Sequence, residues 1–281
     1  MTDIGPVDIR RHVEALTALG PRDPGRGSAV AGALRYITDQ LKGFGYAVSV
    51  ERYGGDLHEV NLLAEVPGAD SAAPVLEVGA HWDSVPGSPG ADDNASGVAG
   101  VLEVARVLSS PAEQPRAGVR FCFFGGEEDG FLGSTAHVER AGDAIAGALI
   151  LEMIGYRSSQ PGSQRVPENL AGLIEAPPAG DFIAVVADPA STPYAAAFAE
   201  VAAPELAVFT LTVPGGYFAD LYRSDHVPYW GAGLRALQLT DTAEYRNPHY
   251  HQPSDLLDTL DLEFAAAVAQ AVAATAVQLA G

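Results

Sequence analysis

Strand-like apolar runs alternating with helix-periodic segments constrain this chain more than any other feature of its sequence. Helical spacing covers residues 9–19 and stops at Gly20-Pro21; a second helix runs from a Ser28 cap to about Lys42, ended by Gly43 and Gly45. Strand-like runs follow at 47–52, 60–66 and 75–79. Then come helix 96–108, strand 119–124, a helical stretch around 134–139 and strand 148–154. The second half reads strand 182–187, helix 193–202, strands 207–213 and 234–239, and helix 262–279. Alternation at these lengths predicts a single-domain three-layer α/β/α sandwich with a mixed, mostly parallel central sheet. Gly54-Gly55 joins the two early strands and suggests an antiparallel edge. The Ser-, Gln-, Pro- and Gly-rich stretch 157–178 reads as a long loop, so residues 1–281 are expected to form one domain with the helices of 1–45 packed on the sheet.

Composition removes several function classes. A chain of 281 residues with 47% hydrophobic and 19% charged content can build a full core. A formal net charge of -20 argues against a nucleic-acid partner, which would need clustered Lys and Arg. The single cysteine, Cys122, lies inside an apolar run and is expected to be a buried thiol. No uninterrupted apolar run reaches the roughly 18 residues of a membrane span. The start, Met1-Thr2-Asp3-Ile4, lacks the pattern of a signal peptide, so the expectation is a cytoplasmic protein, or a secreted one if a leader was removed; the sequence leaves the oligomeric state open, with a monomer favoured.

Five acidic or histidine-bearing stretches occur where strands end or loops begin. They are His81-Trp82-Asp83, Gly90-Ala91-Asp92-Asp93-Asn94-Ala95-Ser96-Gly97, Gly125-Gly126-Glu127-Glu128, Leu151-Glu152-Met153 and Tyr250-His251-Gln252. In open α/β sheets, ligands bind in the crevice beyond the carboxyl ends of the strands. Adjacent acids after an apolar strand repel and lose hydration unless a cation offsets them. Imidazole and carboxylate without thiolate suit zinc, with manganese or cobalt as substitutes. Taken singly, each stretch has a plainer reading: Glu127-Glu128 as a solvated pair, Asp92-Asp93-Asn94 as an Asx turn capping the next helix. The ordered combination favours a pair of divalent metals.

At these residues the chain resembles the aminopeptidase Y family of co-catalytic zinc peptidases, which also contains the glutaminyl cyclases. The likeness spans residues 75–260, and the strings 90–97 and Asn247-Pro248-His249-Tyr250-His251 are its specific marks. The resemblance implies a zinc-exopeptidase-like fold and two zinc ions. It implies His81, Asp93, Glu128, Glu152 and His251 as ligands, with Asp93 bridging. It further implies Glu127 as general base toward a metal-bridged water, Asp83 orienting His81, and Tyr250 as oxyanion donor. Arg223, in Arg223-Ser224-Asp225-His226, is the implied grip on a substrate terminus. Glu152 departs from the aspartate of several characterised aminopeptidases. The implied reaction is removal of N-terminal residues from peptides with a free N-terminus. Two alternatives stand beside it: a glutaminyl-peptide cyclotransferase, and a non-catalytic member acting as a binding protein.

The remaining polar and aromatic residues are given structural readings. Asp225 and His226 are expected to stabilise a loop, His249 to be solvent-exposed, and His58 and His137 to be structural or at the surface. Trp82 and Tyr217-Phe218 are read as packing residues, with a side-chain pocket as their alternative role.

Overall fold

The computed structural model describes residues 2–56, 58–110, 115–202, 205–213 and 218–281. Strands β1 (Ser49–Arg52), β2 (Val60–Val66), β3 (Val75–His81), β4 (Val119–Phe124), β5 (Ile145–Glu152), β6 (Ile183–Ala187), β7 (Val208–Thr212) and β8 (Ala236–Thr240) form one sheet. Their order is β1-β2-β4-β3-β5-β8-β6-β7. The helices are α1 (Pro6–Thr17), α2 (Gly27–Gly43), α3 (Gly97–Leu108), α4 (Leu132–Ala141), α5 (Thr192–Ala202), α6 (His226–Gly231) and α7 (Leu262–Ala280).

The central strands are apolar on both faces because helices cover both. Side chains alternate across a strand. In β4, Val119, Phe121 and Phe123 enter the larger core beneath α1, α2, α3 and α7, while Cys122 and Phe124 enter a smaller core on the other face. In β5, Leu149 and Leu151 face the first core, and Ala148 and Ile150 the second. Cys122 is a buried free thiol, as expected.

Strands β4, β3, β5 and β8 run parallel, and β1 and β2 form the antiparallel edge signalled by Gly54-Gly55. Strand β6 runs antiparallel to β8 and parallel to β7. An evenly apolar run carries no directional signal, so the reversal is set by chain connection and packing. Two local expectations are corrected, on Ser28 and His249. Ser28 lies within α2 and caps nothing; the helix begins at Gly27 without a side-chain cap. Asp225 and His226 hold the loop before α6, as expected: His226 Nε2 bonds the Leu221 carbonyl at 3.0 Å, Asp225 accepts from Ser134 Oγ at 2.6 Å, and both are fully buried. His249 is half-buried, edge-on to Tyr156 and hydrogen-bonded to Ser254.

Helix α7 has the length and composition of a membrane span, yet its apolar residues lie mostly inside the core, against α1, α3 and α5. Asp261 caps its start by accepting from the Phe264 amide at 3.0 Å. Trp82 is fully buried, its indole donating to the Val60 carbonyl, which settles it as packing. Tyr217 lies outside the described residues.

Candidate metal centre

The parallel register brings the ligand-competent side chains to one edge. His81, the last residue of β3, pairs with Phe124 at the end of β4, so Gly125 to Glu128 emerge beside it. Glu152 ends β5 opposite Thr240 of β8. A tight turn of residues 91–96 brings Asp93 into the same crevice, and the loop after β8 returns His251. Left-handed backbone on non-glycine residues occurs at His251, φ 57°, and at Met153, φ 51°, the residue after Glu152. Such conformations persist where surrounding contacts over-determine them, as at ligand clamps.

The geometry forms two triads that share one carboxylate. Asp93 Oδ1 lies 3.3 Å from His81 Nε2, and Asp93 Oδ2 lies 3.1 Å from His251 Nε2. Glu152 Oε2 completes the first triad, 3.3 Å from His81 Nε2, and Glu128 Oε2 the second, 3.2 Å from His251 Nε2. Glu127 Oε2 stands beside the first at 3.9 Å from His81 Nε2. Asp83 Oδ1 approaches His81 Nδ1 at 3.5 Å, behind the ring.

The donor set calls for cations. His81 is fully buried, and Asp93, Glu127 and Glu152 are nearly so. Burial pushes the Glu127 carboxyl well above its usual range, with Glu152, Asp225 and Glu128 adding to the rise and His81 opposing it. Burial likewise raises Glu128 to about 7. Burial disfavours a charged His251, but its hydrogen bonds to Asp93 and Glu128 win and lift it to about 10. His81 behaves alike: burial is outweighed by Glu152 and Glu127. Both ring nitrogens of His81, and Oε1 of Glu128, are buried without a hydrogen-bond partner among the described residues. Buried polar atoms are rarely left so. Two divalent cations fit this donor set of imidazole and carboxylate.

Further hydrogen bonds hold the candidate ligands in place, and the partner that sequence reading missed is Asp255. Ser224 Oγ donates to Glu152 Oε2 at 2.7 Å. Asp255 accepts the amides of Asp92 and Asp93 at 2.9 and 3.1 Å. Asn94 accepts from Gly97 and Met153 and donates to the Leu151 carbonyl, so the Asx reading is right locally but extends to β5. Asp92 accepts from the Gly155 amide and from Asn247. Isolated acids and amides in turns carry no periodicity, which is why pattern alone passes over them; the density of Asp, Asn and Ser around the ligands was their available signal.

Arg223 and Tyr250 flank the centre. Arg223 Nη1 donates to Glu244 at 2.5 Å and Nη2 to the Tyr250 hydroxyl at 3.1 Å. The Tyr250 ring stacks on His251, centroids 3.8 Å apart. Both residues, with Glu152, border a cavity of about 100 Å³ whose walls include Leu170, Ile174, Val186, Phe209 and Leu211. Part of that wall comes from the long loop after β5.

The profile of Peptidase family M28 matches residues 61–276. The chain belongs to this family. Curated relatives agree. The chain is 37% identical over 227 residues to the Escherichia coli (strain K12) uncharacterized protein YfbL, covering 75% of this chain and 68% of that one. It is 34% identical over 224 residues to the probable lipoprotein aminopeptidase LpqL of Mycobacterium tuberculosis, covering 72% of this chain but 41% of that one. Aminopeptidase YwaD of Bacillus subtilis is 30% identical over 197 residues, covering 67% of this chain and 37% of its own length. The chain thus spans well under half of two of these three relatives.

Solved structures share the fold. The Legionella pneumophila LapA aminopeptidase superposes with a TM-score of 0.77 at 20% identity, covering 99% of this chain and 72% of that one. BSAP, a zinc aminopeptidase from Bacillus subtilis, superposes with a TM-score of 0.76 at 18% identity, covering 99% and 96%.

Proposed function

We propose that this M28 protein is a di-zinc aminopeptidase that hydrolyses the first peptide bond of substrates with a free N-terminus. The observation that carries the reading is Asp93, one oxygen toward each of two imidazoles, with Glu152 and Glu128 closing the two triads. The names of curated relatives such as YwaD and LpqL support the same class. His81, Asp93 and Glu152 would hold one zinc, and Asp93, Glu128 and His251 the other. When bound, the ions supply Lewis acidity and a water acidic enough to ionise near neutral pH.

The chain's own groups then divide the work. Glu127 takes the proton of the attacking water and returns it to the leaving amine nitrogen. Its burial and acidic neighbours favour the protonated state it must reach midway. The Tyr250 hydroxyl accepts from Arg223, which leaves its own proton free to donate to the developing oxyanion. Glu244 locks that arginine in place, so Arg223 serves by orienting Tyr250 rather than by gripping a carboxylate. Glu127 and Glu152 supply negative charge for the α-ammonium of the substrate. The apolar cavity beside Glu152 takes the first side chain, which favours leucine-like residues.

The deciding experiment compares leucyl anilide with its N-acetylated twin, with zinc and after chelation. Cleavage of the free amine alone, abolished by chelation, supports the reading. Cleavage of neither, or release of ammonia from an N-terminal glutaminyl peptide, overturns it.

A further inference from the structure

We propose that Arg22 is a positioning residue of the metal centre, stapling the loop that carries Asp83 and delivers Asp93. The inference rests on the di-zinc reading above. Arg22 follows the Gly20-Pro21 stop of α1, far from the ligands in sequence, and its side chain is fully buried. Its Nε donates to the Trp82 carbonyl at 2.7 Å, Nη1 to that of Pro89 at 2.6 Å, and Nη2 to that of Gly90 at 3.0 Å. Its backbone amide donates to Ser84 Oγ at 3.0 Å, and Ser84 donates onward to the Ser88 carbonyl at 3.2 Å.

The three carbonyls lie at the two ends of one loop. Trp82 sits between His81 and Asp83, and Gly90 begins the turn that presents Asp93. One planar guanidinium thus fixes the separation of those ends, which a point-like ammonium cannot do. The fit is close. Gly90 has φ 61°, and a Cβ there would meet Arg22 Nη2 at 2.8 Å and the Asp93 carbonyl at 2.2 Å. Burying a guanidinium is costly without compensation. The hydrogen-bond partners of this one are backbone carbonyls, and the carboxylates of Asp83, Asp93, Asp255 and Glu128 supply its countercharge. A surface arginine would stabilise the fold at less cost; a buried one aimed at this loop acts on the ligand geometry.

The test measures zinc affinity by competition with a chromophoric chelator, for the wild type, Arg22→Lys and Arg22→Met. Melting of each metal-free protein is recorded alongside. Outer partners of metal ligands typically change affinity 10–100-fold. Both variants are expected to bind zinc 10–100-fold more weakly, lysine as poorly as methionine, with kcat reduced and KM for leucyl anilide unchanged at saturating zinc. A purely structural arginine would lower the metal-free melting point and leave zinc affinity within twofold; that result overturns the proposal. So does full rescue by lysine, which would show that charge rather than the staple matters. If neither variant folds, Arg22→Gln, which keeps a planar but shorter donor, decides: zinc binding at least threefold weaker upholds the staple, and unchanged binding removes it. A wild-type protein that binds no zinc overturns the metal centre itself, a distinct failure read before any variant is made.

Discussion

Replacing Glu127 with glutamine should separate chemistry from metal binding and also raise the stability of the metal-free protein. The amide matches the carboxyl in size and leaves His81, Asp93, Glu128, Glu152 and His251 untouched, so zinc content should stay at the wild-type level. It cannot take a proton from the attacking water, and kcat should fall about 10²–10⁴-fold, or about 3–5 kcal/mol of barrier. The stability effect follows from burial, which with Glu152, Asp225 and Glu128 raises the folded-state pKa of Glu127 well above 4.5. A raised carboxyl costs nothing below its unfolded value and costs progressively more as pH rises toward its folded value. At pH 7 that cost reaches at most about 3 kcal/mol, at 1.36 kcal/mol per pH unit above the ordinary value. Melting of the metal-free glutamine variant should therefore exceed wild type by a few degrees at pH 7, and the gap should close near pH 4. Turnover within tenfold of wild type at full zinc content would refute the general-base assignment. A metal-free gap that does not change between pH 4 and pH 7 would refute the electrostatic reasoning.

Further tests address the pocket and a second charged cluster. Val186→Phe should fill the apolar cavity beside Glu152 and shift kcat/KM from leucyl toward alanyl substrates by about 10–200-fold; an unchanged ratio would place the first side chain elsewhere. His137 lies between Glu77 at 2.9 Å and Glu51 at 3.1 Å. Burial works against its charge, but hydrogen bonds to Cys122, Glu51 and Glu77 raise it to about 12. A raised histidine stabilises fully below its unfolded pKa near 6.5 and loses that contribution as pH climbs toward 12. Urea midpoints should show His137→Gln destabilised most at pH 6 and progressively less by pH 10; a pH-independent difference would contradict the charged-imidazole assignment.

Taken alone, the sequence determined the layered α/β class, the elements within a few residues, and which side chains were candidates for a metal site. Those features are local: strand-like runs show as unbroken apolar segments, and an acid or imidazole after such a run is visible in one dimension. Family membership followed from the ordered strings at residues 90–97 and 247–251. The tertiary structure alone decided that β6 reverses against β8, that a buried His226 opens the short helix α6, and that Asp93 faces both imidazoles. It also decided the partners of the ligands: Ser224 on Glu152, Asp255 on the Asp93 amide, Arg223 on Tyr250, and Arg22 across the loop from Trp82 to Gly90. Each of these is a hydrogen bond or charge contact between residues distant in sequence. Neither propensity nor periodicity records such a contact, because its energy exists only once the sheet has brought its strand ends to one edge.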